Sequence, residues 1–180
     1  MTLDATVGGT GANSYVTVVR AQALFDQRLY VDTWTAATTA QKEAALVWAT
    51  TILDQSFNWE GWLRHPGTGP GNSGGQRLRW PRSAVLMLDG YRWYDYDLIP
   101  EPIERATCDL ALLLLQRDLT AIPELLGTGI SDVSVGPLKV TINPKMILPL
   151  IPPQMIDTLA HLGLCLITSP AGGQIKLIRA

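Results

Sequence analysis

Seven residues between positions 59 and 82 have the types and spacing to do chemistry: Trp59, Trp62 and Trp80, interleaved with Arg64, Arg77, Arg79 and Arg82. Flat indoles on which bases stack, set among guanidinium groups that meet phosphates, are the equipment of a single-strand nucleic-acid binder. Charge weighs against that reading. The chain carries 14 Lys+Arg against 16 Asp+Glu, a formal net charge of −2, and the electrostatic part of such binding scales with the phosphates neutralised. The competing reading is preferred: the tryptophans cap a helical core, and the arginines pair with acidic residues or with another subunit. Single-stranded-DNA binding through segment 59–82 stays as the alternative.

Catalytic chemistry finds less support. His65 and His161 belong to no metal-ligand motif such as HExxH, and the Gly-rich run 66–75 lacks the G-K-[ST] with which a P-loop holds phosphate and Mg²⁺. Asp95 and Asp97 are paired carboxylates at i, i+2 in an aromatic loop, a spacing that matches no acid/base arrangement. Gly9-x-Gly11 follows no strand and is no dinucleotide fingerprint. Cys108 and Cys165 are expected as buried thiols, too few for a disulfide framework or a CxxC metal site. No enzyme, cofactor or metal is expected. The N-terminus has neither a basic n-region nor an apolar h-region, so the chain is expected to be neither secreted nor membrane-inserted.

The elements that must position these residues centre on 99–119. Pro102 fits a first helical turn, and Glu101 and Glu104 favour the positive end of the helix dipole. Ile103, Ala106, Leu110, Leu113 and Leu114 share one face, and Leu112 and Leu115 widen it until the helix is apolar almost all round. Its six unbroken apolar residues, Leu110 to Leu115, fall far short of the roughly 20 a membrane span needs. This helix therefore belongs in the middle of a protein core.

Ahead of it, residues 1–13 are small, polar and Gly-rich, a mobile arm. Thr17 is an N-cap for a helix through Tyr30, with Val18, Ala21, Leu24, Phe25 and Leu29 inward, and Trp34 follows in a loop. Thr38 with Gln41 makes a capping box for a helix from Thr39 to about Phe57, with Ala45, Trp48, Ala49, Ile52 and Leu53 inward. The Gly-rich run is a flexible excursion, and the loop Tyr91 to Asp97 is aromatic enough to lie over the helices. Beyond the central helix, Ile122 to Leu126 make one more turn. Residues 133–142 form a hairpin around Gly136-Pro137, with Val133, Val135, Leu138, Val140 and Ile142 facing the helices. A short last helix turns Ile156, Leu159 and Leu162 inward. The tail Ile175-Lys176-Leu177-Ile178-Arg179 alternates like a strand without a local partner, which suits it to joining a sheet edge elsewhere. The fold class expected is mainly α: a small helical bundle around a central apolar helix, with a β-hairpin and extended N- and C-terminal arms. Its organisation is an arm at 1–13, a helical domain at 14–168 and a tail strand at 169–180.

Taken in order, several stretches resemble one family. They are Asn13-Ser14-Tyr15-Val16-Thr17, Lys42-Glu43-Ala44-Ala45-Leu46, Leu53-Asp54, Trp59-x-Gly61 and Leu78-Arg79-Trp80-Pro81-Arg82. Asp89-Gly90, Ile99-Pro100-x-x-Ile103-x-x-Ala106, Val135-Gly136-Pro137-Leu138-Lys139-Val140 and the tail 175–179 continue the series. The chain resembles the bacteriophage head–tail connector proteins (neck adaptors or head-completion proteins), a family often labelled "putative DnaT-like single-stranded-DNA-binding protein". The resemblance implies a structural virion protein at the head–tail interface, assembled in the host cytoplasm. It implies a ring, commonly of twelve copies, beneath the portal protein, which extends the DNA channel and offers a platform to the next neck or tail protein. Genomic DNA passing through the lumen would be held weakly and without sequence preference, and no membrane is involved. The insertion 66–75 and the loop 91–97 depart from the family pattern.

Overall fold

The computed structural model describes residues 2–64, 75–119, 132–135, 138–141 and 150–166. His65, nearly all of the Gly-rich insertion, the expected turn at 122–126 and the tail with Ile175, Lys176, Leu177, Ile178 and Arg179 lie outside the described residues. Within them the chain is mainly α, with five helices and three two-stranded antiparallel pairs.

The central helix is the one the sequence marks. α4 spans Glu101–Gln116 with Pro102 in its first turn, and Ile103, Ala106, Thr107, Cys108, Leu110, Ala111 and Leu112 are buried. Leu113, Leu114 and Leu115 are only half-buried. Its chief partner is α3, Thr39–Ser56, opened by the expected capping box. There the Gln41 N–H donates to Thr38 Oγ1 at 3.3 Å and the Thr38 N–H donates to Gln41 Oε1 at 2.9 Å. Trp48, expected inward, is 49% exposed, and Leu46 takes a fully buried place instead. α3 is apolar on more than one side, so its own pattern does not say which side α4 will cover.

The helix expected through Tyr30 ends five residues earlier. α1 is Val18–Phe25, capped by Thr17 Oγ1, which accepts from the Arg20 N–H at 3.1 Å. Leu29 is consequently outside the helix and exposed. Trp34 causes the change of plan: it lies not in a loop but on the short α2, Asp32–Ala36, with no exposed surface. Its ring packs on Phe25 with centroids 4.7 Å apart, and its indole N–H donates to Gln22 Oε1 at 3.0 Å. The chain must leave α1 after Phe25 to bring that indole back.

Two strand pairs were not foreseen. β1, Phe57–Trp59, pairs with β6, Gly163–Cys165, and β2, Trp62–Leu63, pairs with β3, Arg82–Ser83. The first pair closes only over a glycine, since a Cβ on Gly163 would lie 2.7 Å from the Asn58 carbonyl oxygen. The expected hairpin is present as β4, Asp132–Val135, and β5, Leu138–Thr141, with Val133 opposite Val140 and Val135 opposite Leu138. The direction of its side chains lies outside what is described. The last helix, α5, is Pro153–Leu159; Leu159 and Leu162 are buried and Ile156 is half-buried.

The N-terminal arm expected to be mobile is instead folded back on itself. The Asp4 N–H donates to Asn13 Oδ1 and the Asn13 N–H to the Asp4 carbonyl, both at 2.8 Å, while Asn13 Nδ2 donates to the Thr2 carbonyl. Asn13 and Ser14 are buried, so their polar groups must find protein partners: the arm supplies those of Asn13 and of the Ser14 N–H, and Ser14 Oγ donates to Val16 O at 2.8 Å.

Candidate functional site

Of the seven residues that could have formed a base-stacking surface, the fold takes most for itself. Trp59 ends β1, 5% exposed, stacked on Phe57 at 4.8 Å and 17°, with Trp80 edge-on at 5.9 Å. Trp80, followed by a cis peptide bond to Pro81, is 1% exposed. Neither indole face is available to a base. Trp62 alone of the three is open, at 74%.

The arginines divide in the same way. Arg82 turns its guanidinium onto three backbone carbonyls: Nε donates to Glu60 O, Nη2 to Gly61 O at 2.6 Å and Nη1 to Arg79 O at 3.2 Å. A planar fork of donors is the side chain that can hold three acceptors at once, so Arg82 clasps the β1–β2 turn to the segment leading into β3. That turn needs Gly61, whose φ is +72° and whose Cβ would lie 2.2 Å from the Ser83 carbonyl oxygen. Arg64 donates from Nε to Asp97 Oδ1 at 3.2 Å and lies 4.4 Å above the Tyr96 ring. Arg77 reaches the N-terminal arm, its N–H donating to Gly9 O at 3.2 Å. The Arg77 and Arg79 side chains remain at the surface.

Beneath this clasp lies a buried polar junction. The Tyr15 hydroxyl donates to Asp54 Oδ1, and the Arg79 N–H donates to Asp54 Oδ2 at 3.1 Å. The Tyr15 N–H donates to Thr50 Oγ1, which in turn donates to Leu46 O at 2.9 Å. Burial raises the Asp54 carboxyl above its usual range, while the Tyr15 and Arg79 donors pull it down. Burial, then the Asp54 charge, raise the Tyr15 phenol well above its own range. The stretches Asn13-Ser14-Tyr15, Leu53-Asp54, Trp59-x-Gly61 and Leu78-Arg79-Trp80-Pro81-Arg82 thus converge on one knot. They hold the fold.

The remaining candidates are accounted for singly. Asp95 and Asp97 are linked by the Asp97 N–H donating to Asp95 Oδ1 at 2.9 Å, and Asp97 also carries the Arg64 pair. His161 Nε2 lies 3.1 Å from the Tyr94 hydroxyl. Burial pushes the Cys108 thiol up to about 12, which leaves it unreactive. Among the described residues no group of three or more His, Cys, Asp and Glu could hold a metal ion, and no helix is long and apolar enough to cross a membrane.

The side chains that sequence reasoning placed wrongly are those of the aromatic loop. Residues 85–94 form a β-ribbon in which Leu86 bridges to Trp93, the Met87 N–H donates to Arg92 O at 2.7 Å and the Tyr94 N–H donates to Val85 O at 2.9 Å. Asp89 Oδ1 accepts from the Tyr91 and Arg92 N–H groups, and Oδ2 accepts from Arg92 Nε at 2.6 Å. These donors hold the Asp89 carboxyl down at about 2. Val85 is buried and Tyr94 half-buried, whereas Leu86, Leu88, Tyr91 and Trp93 are 41%, 80%, 89% and 58% exposed. The loop rests on the core through Val85 and Tyr94 alone of the ribbon's large apolar side chains, and its other side is an apolar face open to solvent. Asp89-Gly90, a hairpin dipeptide between apolar residues, was the signal that could have revealed it.

The model of the family described as "Putative DnaT-like ssDNA binding protein" matches residues 1–179. No curated protein and no solved structure matches the chain.

Proposed function

Because the chain belongs to the family described as "Putative DnaT-like ssDNA binding protein", we propose, on its resemblance to phage connectors, that it is a structural virion protein of the head–tail neck. In this reading it assembles as a ring between the portal protein and the tail. There it lengthens the DNA channel and presents a platform to the next neck or tail protein.

One observation carries the choice of an assembly role over a nucleic-acid role. Much of the Trp/Arg segment is spent on the fold, with Trp59 and Trp80 buried and Arg82 bonded to three carbonyls, while Leu88, Tyr91 and Trp93 form an apolar face left outside. Contiguous exposed apolar side chains mark surfaces that meet other proteins. A wall that a genome slides past is also better served by few free cations, since each phosphate neutralised strengthens the grip. The tail 175–179, with a strand's alternation, would add to a sheet edge on a neighbouring subunit or on the portal.

Single-stranded-DNA binding is the second reading, favoured by the family's description and by the open Trp62, Arg77 and Arg79. Electron microscopy of the full chain mixed with portal protein, alongside a salt titration against single-stranded oligonucleotides, separates the two. Rings on the portal with weak, salt-sensitive oligonucleotide binding are expected. Sub-micromolar binding at physiological salt, lost on changing Arg77 and Arg79 to Ala, with no portal complex, would reverse the order.

A further inference from the structure

The N-terminal arm and segment 76–82 are fastened to each other and to the same carboxylate. Asp54, on α3, accepts the Tyr15 hydroxyl on Oδ1 and the Arg79 N–H on Oδ2, the second at 3.1 Å. Immediately before Tyr15, the Asn13 and Ser14 N–H groups donate to the Asp4 carbonyl at 2.8 and 3.1 Å. From the other side the Arg77 N–H donates to Gly9 O at 3.2 Å, and Arg77 Nη1 donates to Gly11 O at 3.5 Å. The bonds close a circuit that runs from the arm through Tyr15, Asp54, Arg79 and Arg77 back to the arm. Segment 76–82 is also braced within itself, where Gln76 Nε2 donates to the Leu78 and Pro81 carbonyls at 2.9 and 3.0 Å.

We propose that the arm is a strap on segment 76–82, and that residues 2–15 and 76–82 release as one cooperative unit while α3 and α4 stay folded. The reason lies in the shared acceptor. The Tyr15 ring, 4% exposed, helps to keep water from the Asp54 carboxylate. A shielded carboxylate stripped of one donor is costly, so breaking one fastening destabilises the closed arrangement on which the other depends. α3 and α4 hold each other by a contact in which neither segment takes part. Units of this kind open below the free energy of global unfolding. Release has a chemical consequence. Arg82 lets go of Glu60 O and Gly61 O, and Trp80, 1% exposed while the strap is fastened, comes out beside Arg77 and Arg79. An indole among guanidiniums on a freed segment is equipment for holding single-stranded nucleic acid, so the fastened strap is an autoinhibitory contact. The strap itself is independent of how copies of the chain assemble; only this consequence rests on the nucleic-acid reading.

Native-state hydrogen exchange of the full chain over a denaturant series tests the strap. The amides of Ser14, Arg77 and Arg79 should converge on one opening, lying below the opening shared by Leu110 and Ala111 in α4. Asn13→Ala removes the side-chain bonds to the Asp4 N–H and the Thr2 carbonyl, which lie within the arm. It should speed exchange at Arg79 by the same factor as at Ser14, about tenfold for the bonds lost. Tyr15→Phe should do the converse, speeding Ser14 and Arg77 as much as Arg79. Affinity of the Asn13→Ala protein for an oligothymidine strand should rise by about the same tenfold, because the competent form is that much more populated. Two outcomes overturn the strap. If Asn13→Ala frees Ser14 and leaves Arg79 at its wild-type rate, the two fastenings are independent. If the wild-type amides of Ser14, Arg77 and Arg79 exchange only together with Leu110 and Ala111, no separate unit exists. Faster exchange at all three with oligothymidine affinity unchanged overturns the autoinhibition.

Discussion

Replacing Arg82 with alanine removes three hydrogen bonds in one step and separates the two readings of segment 59–82. The guanidinium bonds Glu60 O, Gly61 O and Arg79 O and is half-buried. A hydrogen bond to a charged group contributes about 1.5–3 kcal/mol net. Water can reach part of this site after truncation and the three bonds act as a unit, so simple addition overstates the loss; about 2–4 kcal/mol is expected. For a domain of this size that lowers Tm by roughly 5–15 °C. Arg82→Lys keeps the charge but not the fork, so it should recover no more than about half of the loss. Differential scanning calorimetry measures both, alongside oligonucleotide binding as a function of salt. If Arg82 served as a phosphate contact instead, the alanine variant would melt within about 0.5 kcal/mol of wild type and the salt slope would fall by about one. That pair of results would refute the clasp.

Leu110→Ala should cost about 2–5 kcal/mol, because Leu110 has no exposed surface, while half-buried Leu113→Ala should cost clearly less in the isolated chain; denaturant midpoints check the order. Gly61→Ala should destabilise by at least about 1–2 kcal/mol, since it meets both a left-handed backbone and the Ser83 carbonyl, and a melt within error of wild type would contradict the turn geometry. Asp89, held down at about 2 against an ordinary 3.8, favours the folded ribbon fully above pH ~3.8 and loses that contribution as pH falls through about 2. Carboxyl NMR should therefore find its midpoint well below that of exposed aspartates, and Asp89→Asn should abolish the acid-dependent shift of the Arg92 amide.

The helices were legible because their signals are local. The Thr38–Gln41 capping box, Pro102 in a first turn and the apolar spacing of 103–112 act within a few residues of themselves, so any packing that buries the stripe preserves them. The hairpin at 132–141 was legible for the same reason, its turn and period-two alternation being neighbours in sequence. The fate of the tryptophans was not local. Trp59 and Trp80 are buried because β1 finds a partner more than a hundred residues away, over a glycine small enough to let Trp59 approach, and because Arg82 draws the intervening chain inward by its carbonyls. Trp48 lies outward and Leu46 inward because α3 is apolar on more than one side, and its neighbours decide which side counts as inside. The sequence by itself therefore determined the two long helices and that α4 is central, but neither the end of α1 nor the short α2. Tertiary structure alone decided which aromatic residues hold the fold and which, on the ribbon at 85–94, remain free to meet another molecule. The physical reason is that capping and periodicity are satisfied within a turn or two of chain, whereas burial is a property of whatever surface arrives from elsewhere.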